Sequence, residues 1–165
     1  MASSLQPDPW CFGNDAQRFF SLNQEQALEY GTLNEFGQGG PVGGSCYWVA
    51  KNKPRILVHD PCGGPPAWEL MGLKVALPVW EQHWLHGTIA RVGVLNTVTA
   101  QLTIFAPWFR VPHLLEFKGL YVKGVDSPVY NAKGFIDRAI NTHKVCHFAK
   151  TLNYRATTPI SVARA

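Results

Sequence analysis

Val145-Cys146-His147-Phe148-Ala149-Lys150-Thr151-Leu152-Asn153-Tyr154 is the stretch on which the reading of this chain turns. Val145, Phe148 and Leu152 recur at i, i+3 and i+7, the spacing of one helix face. Read as a helix, the stretch places Cys146 in its first turn. Free backbone N–H groups and the helix dipole favour a thiolate there, and the thiolate is the nucleophilic form. His147 beside it points about 100° away around a helix and is poorly placed as a base. His59 is the better candidate, because it ends the apolar run Ile56-Leu57-Val58 and is followed by Asp60.

The flanking sequence extends the pattern. Phe135, Ile136, Ala139 and Ile140 also recur at helical spacing, and a first helix is predicted from Leu22 to Tyr30. There Ser21 and Gln24 make a capping box and Gly31 suits the position after the last turn. Between these lie β-like runs at Ser45–Ala50, Arg55–His59, Leu73–Trp80, Thr88–Leu95, Thr97–Phe105 and Gly119–Lys123. Lys51-Asn52-Lys53-Pro54 joins the first two as a hairpin. The loop Gly37–Gly44 lacks the strand and helix context of a phosphate loop and reads as a hinge or lid. The expectation is one α+β domain over residues 1–165, with a mainly antiparallel sheet and a C-terminal cysteine-bearing helix. Residues 1–20 form an irregular arm and 156–165 a loose tail.

Composition narrows the function classes. The chain has 165 residues, 46% of them hydrophobic and 16% charged, so it is expected to fold around a core. A net charge of +4 permits contact with RNA or an anionic membrane without demanding either. Cysteines stand at 11, 46, 62 and 146 with no Cys-x-x-Cys spacing, so neither a metal nor a cofactor is expected. The N-terminus has no basic and apolar leader, which points to free thiols in a reducing compartment. The longest apolar stretch, Ala90–Phe109, is broken by Arg91, Asn96 and Gln101, so no spanning segment is expected. Lys51, Lys53 and Arg55 bracket one hairpin beside Tyr47 and Trp48. Lys144, Lys150 and Arg155 gather around the cysteine stretch. These six are candidate RNA contacts, since basic groups reach phosphates and aromatics stack bases. His59-Asp60-Pro61-Cys62-Gly63-Gly64 has a protease-like Cys-Gly-Gly, but too little chain precedes it for a chymotrypsin-type barrel. It reads as a Gly/Pro turn. His83 and His86, around Trp84, read as residues of a loop or a strand start.

Three stretches in order resemble a known family. Cys146-His147-Phe148 with Leu152 and Tyr154 is similar to the "NC" motif of the lecithin:retinol acyltransferase-like family. Tyr47-Trp48 leading to His59 is similar to its "H-box", at the family's spacing, and Gly31–Phe36 is similar to its entry strand. The family includes cellular phospholipid-modifying thiol enzymes and the non-proteolytic 2A proteins of picornaviruses, kobuvirus-like ones among them. The resemblance implies a permuted papain-like (NlpC-type) fold. It also implies a protein of the host cytoplasm, at viral replication sites, that supports RNA replication or encapsidation by binding RNA or viral and host replication proteins. Tyr47 replaces the family's H-box histidine, and a phenol is a poor base near neutrality. Aligned on His147-Phe148, the family's cysteine position holds Val145; with a one-residue deletion instead, Cys146 keeps the nucleophile's place. The first expectation is therefore a non-enzymatic binding protein. The alternative is a residual thiol acyltransferase or phospholipase A in which Cys146 attacks an ester and His59 acts as base. A protease is not expected.

Overall fold

The computed structural model describes residues 7–12, 19–126, 133–139 and 145–151, the last two ranges as backbone strands. Among the described residues there is no helix. The strands in chain order are β1 (Phe19–Phe20), β2 (Gln26–Tyr30), β3 (Asn34–Glu35), β4 (Val42–Ala50), β5 (Ile56–Cys62), β6 (Ala67–Trp68), β7 (Lys74–His83), β8 (Gly87–Asn96), β9 (Gln101–Phe109), β10 (Pro112–Lys118), β11 (Tyr121–Asp126), β12 (Lys133–Ala139) and β13 (Val145–Thr151). The expected α+β class, and with it the papain-like architecture and the C-terminal helix, is corrected to all-β.

A 10-stranded sheet runs β1-β2-β4-β5-β7-β8-β9-β13, with β3 on β4 and β6 on β7. A second sheet of three strands runs β10-β11-β12. Every named pairing is antiparallel. The ladder from β5 to β7 touches only at Cys62 opposite Val79, and the large sheet curls there. The curl brings β1 and β2 back over β6 and β7. Trp68 Nε1 donates to the Phe19 carbonyl at 2.8 Å, and Gln26 Nε2 to the Gly72 carbonyl at 3.0 Å.

Two cores result. The first joins Leu28, Tyr30, Cys46, Trp48 and Val58 from β2, β4 and β5 to Val75, Leu77, Val79, Leu95 and Leu102 from β7, β8 and β9. The second lies on the other face of that layer, where Ala76, Val92, Val94 and Phe105 meet Leu114, Phe117 and Val122 of the small sheet. Side chains alternate across a strand, so odd positions of β7 enter one core and Ala76 enters the other. This explains why Val75–Trp80 and Ile89–Leu95 are buried without a polar face. β5, covered on one face, keeps the alternation Ile56 in, Leu57 out, Val58 in.

The three expected helices are strands for identifiable reasons. Ser21 closes a turn instead of capping: its Oγ accepts from Gln26 N at 3.2 Å. Gln24 takes φ 57°, which no residue in the first turn of a helix adopts. Leu28 then pairs with Trp48 on β4. Gly124 on β11 pairs with Phe135, and Ile104 on β9 pairs with His147. In both cases an open sheet edge recruits the segment, and its ladder outweighs local helical spacing. Other expectations stand within a few residues. The hairpin of β4 and β5 turns at Lys51–Arg55, and β7, β8 and β11 overlay their predicted runs. The run at Thr97–Phe105 begins only at Gln101, after a turn, and β10 was not foreseen. The tail 156–165 lies outside the described residues.

Leu77 is fully buried in the first core. Leu77→Ala is expected to lower unfolding free energy by about 2–5 kcal/mol in a urea melt, while Leu120→Ala at an exposed turn changes it by less than ~0.5 kcal/mol. Acid sensitivity comes from β10. Burial holds the His113 imidazole below its ordinary value, against the opposing pull of the Asp8 carboxylate and the Pro7 backbone. The unfolded chain therefore takes up a proton that the native chain resists. Stability is expected to fall as pH drops below about 6.5, and His113→Gln should remove that part of the slope.

Candidate functional site

The β7–β8 hairpin ends in Trp84-Leu85-His86, closed by Gly87 at φ +71°, a conformation that glycine adopts without strain. Register holds its two stems together up to His83 opposite Gly87. The tip carries a row of rings. His83 stacks on Trp84 with centroids 6.4 Å apart and planes 21° from parallel. His83 stacks on His86 at 4.8 Å, and His86 on Trp108 of β9 at 4.8 Å, both at 24°. Trp84 is 87% exposed and Trp108 41% exposed, so both ends of the row present indole faces to solvent.

An open cleft of about 440 Å³ adjoins this row, lined by Phe36, Trp80, His86, Ile89, Trp108 and Arg110 among others. Its volume is within the range of small-ligand sites. Phe36 and Trp80 pack at 4.8 Å. The Trp80 indole lies against Gly63, where any side chain would collide with it, and its Nε1 has no hydrogen-bond partner. None of the described lining residues is acidic. Nearby carboxylates have partners of their own. Glu81 receives Arg91 Nε at 2.6 Å, and Asp126 accepts the backbone N–H groups of Arg110 and Val111 at 3.0 and 2.9 Å. Arg110 is exposed at the cleft mouth.

A second open cleft, of about 550 Å³, is lined by Asn34, Glu35, Ser45, Tyr47 and Asp60 with several glycines. Its two carboxylates make it the wrong sign for an anion.

The residues expected to act lie elsewhere. Tyr47 stands opposite Leu57, and His59 opposite Cys46. Tyr47 is capped by the Arg55 guanidinium at 3.7 Å from its ring, and Arg55 also meets Glu29 at 3.5 Å. Trp48 is buried, donates to Gln26 Oε1 at 2.8 Å, and has Lys53 Nζ at 5.4 Å over its ring. Two of the three basic groups of this hairpin thus rest on the protein's own aromatic rings. Cys146, His147, Phe148 and Lys150 lie on β13. Three strands, β7, β8 and β9, separate β13 from the β5 strand of His59. Along the sheet that is about 19 Å at ~4.8 Å per strand. Lys144 and Arg155 lie outside the described residues.

The described thiols fall into two classes. Cys11 is exposed, whereas Cys46 and Cys62 are buried in the first core. Burial pushes the Cys62 thiol well up, with Cys46 and the Asp60 carboxylate adding to it. The Tyr30 phenol is pushed up by the same burial and by both thiols, and it donates to the Gly63 carbonyl at 2.8 Å. Cys62 is therefore a neutral core thiol, and the Cys-Gly-Gly run is the turn that lets Trp80 and Tyr30 close over it.

Sequence reasoning passed over the ring row. The signal was present: a tryptophan and two histidines at a hairpin tip, where polar turn residues are usual. Trp108 and Arg110, some twenty residues on, join the site only through the β8–β9 pairing of Arg91 with Trp108. Comparison of the chain with protein-family models, curated proteins and solved structures finds no match in any of the three.

Alkylation of the native protein with iodoacetamide, mapped by mass spectrometry, is expected to modify Cys11 and to spare Cys46 and Cys62 until the chain is unfolded. Fast native labelling of Cys62 would contradict its placement in the core.

Proposed function

We propose that this protein is a binding module for single-stranded RNA, with the ring row Trp84–His83–His86–Trp108 as its base-stacking platform. One observation carries the reading: near-parallel rings end in solvent-exposed indoles beside a cleft that holds an arginine and no carboxylate. Stacking on aromatic rings is tolerant of base identity, because every base has a π-face, and it contributes about 1–3 kcal/mol per base. Arg110 supplies a charge that matches a phosphate or stacks on a base. The overall charge of +4 favours approach of an anionic strand. RNA binding on a platform of this kind needs no nucleophile, and among the described residues Cys46 and Cys62 are buried in the core.

Binding of a fluorescent oligouridine, followed by anisotropy at fixed salt, tests the proposal. Trp84→Ala and Trp108→Ala are each expected to weaken binding by roughly tenfold, within the stacking range above. Arg110→Ala should weaken it less and make it less salt-dependent. Lys51→Glu, at the far hairpin, should change it little. Wild-type affinity in the folded Trp84→Ala/Trp108→Ala double variant would overturn the platform. Loss only in the Lys51→Glu variant would move the RNA to the basic hairpin.

A further inference from the structure

The opposite end of the large sheet presents a second surface that the stacking platform does not use. The loop Glu69–Leu73 is clamped there between two neighbours. Gln26 Nε2 donates to the Gly72 carbonyl at 3.0 Å, and Thr97 donates to the Leu73 carbonyl through its backbone N–H at 2.9 Å and its Oγ1 at 3.0 Å. A Cβ at Gly72 would sit 3.2 Å from Ser21 Cβ, so the turn at Ser21–Glu25 packs directly on the loop. Three turns therefore converge. They carry Leu22, Leu70, Met71, Leu73 and Val98 as large apolar side chains in solvent, with Phe20 of β1 beside them. Leu22 is 66% exposed, Leu70 74%, Met71 68% and Val98 71%. Single exposed apolar residues are ordinary on a protein surface, but a cluster drawn from three separate turns marks an interaction surface.

Charge around the cluster indicates the partner. Lys51 is tied to this end by its backbone N–H to the Glu25 carbonyl at 3.2 Å, and Lys53 is in the same exposed turn. Lys74 follows Leu73 and pairs in register with Asn96. Glu25 and Glu69 are the carboxylates of the same turns, and Asn23 Nδ2 reaches Glu25 at 3.5 Å. Lys51, Lys53 and Lys74 thus accompany the two carboxylates around the apolar tips. Leu22, Leu70, Met71 and Val98 stand in turns, and none lines either cleft described above. A protruding set suits insertion into a soft boundary rather than reception of a ligand.

We propose that this end of the sheet docks on an anionic lipid surface, with Leu22, Leu70, Met71 and Val98 entering the headgroup–acyl boundary and the lysines meeting the anionic headgroups. Apolar insertion and basic attraction together give reversible interfacial binding. The surface is independent of the RNA platform and lies at the other end of the same strands.

Co-sedimentation with vesicles of phosphatidylcholine alone, and of phosphatidylcholine with phosphatidylserine, tests this. Binding is expected to phosphatidylserine vesicles and to be much weaker to phosphatidylcholine alone. Leu70→Asp/Met71→Asp should lower it by roughly tenfold or more, with an unchanged urea melt and unchanged oligouridine affinity. As a second readout, Val98→Trp should show a blue-shifted emission with phosphatidylserine vesicles. No sedimentation with phosphatidylserine vesicles, or equal binding by the folded double variant, overturns the proposal. So does a wild-type dimer in analytical ultracentrifugation that Leu70→Asp/Met71→Asp converts to monomer, since a second copy would then occupy the surface.

Discussion

Burial of β7 and β8 on both faces is the constraint on which the rest of this structure depends. A strand with one wet face can alternate polar and apolar residues. These cannot, and Val75–Trp80 and Ile89–Leu95 are closed to water on both sides. Each face then needs its own cover. Curling at the β5–β7 junction lays β2, β4 and β5 over one face, and β10 and β11 cover the other. Arg91 shows what the doubly covered layer demands of a charge. It is buried, and it is held by Glu81 and by the Ala106 carbonyl. Removing one partner would leave an uncompensated charge, which is far costlier than the pair itself.

The same constraint leaves the exposed apolar and aromatic side chains of this layer at its ends. Side chains in the ladder are committed to packing, so groups free to meet a partner lie in the turns beyond it. At one end the turns offer rings and a guanidinium; at the other they offer aliphatic tips and ammonium groups. Arg91 absorbs Glu81, and the Arg110–Val111 backbone absorbs Asp126, which leaves the ring end without a competing carboxylate in its cleft. The acidic cleft around Glu35 and Asp60 is on the far side of Phe36, a residue that lines both clefts.

The central strands were legible because their signal is long and local. Val75–Trp80 and Val92–Leu95 are apolar runs that no helix period interrupts, and Lys51–Pro54 punctuates one hairpin plainly. The edge strands were not legible. Phe135–Ile140 and Val145–Leu152 carry apolar residues at spacings that fit a helix as well as a strand, and what decides between the two is an unpaired edge more than ten residues away in sequence. Ser21 and Gln24 illustrate the limit of local motifs. The same hydroxyl that would cap a helix closes a turn when Leu28 has Trp48 to pair with. The ring row was illegible as a site for a similar reason: Trp108 reaches His86 only after β8 and β9 are aligned.

The change from helix to strand at Val145–Thr151 alters the chemistry expected there, and not the architecture alone. A thiolate at a helix N-terminus is favoured by aligned peptide dipoles and by N–H groups with no partner in the chain. A strand supplies neither. Its peptide dipoles alternate, and its N–H groups on the paired side are spent on the ladder to β9. The physical cause that made Cys146 a candidate nucleophile is thus absent from its backbone setting, while the proposed base lies on β5, across β9, β8 and β7. Cys62 fails for the opposite reason: its environment is apolar enough to hold the proton on sulfur. One thiol thus lacks the dipole of a helix start and another is held neutral by burial, each through its backbone or packing environment.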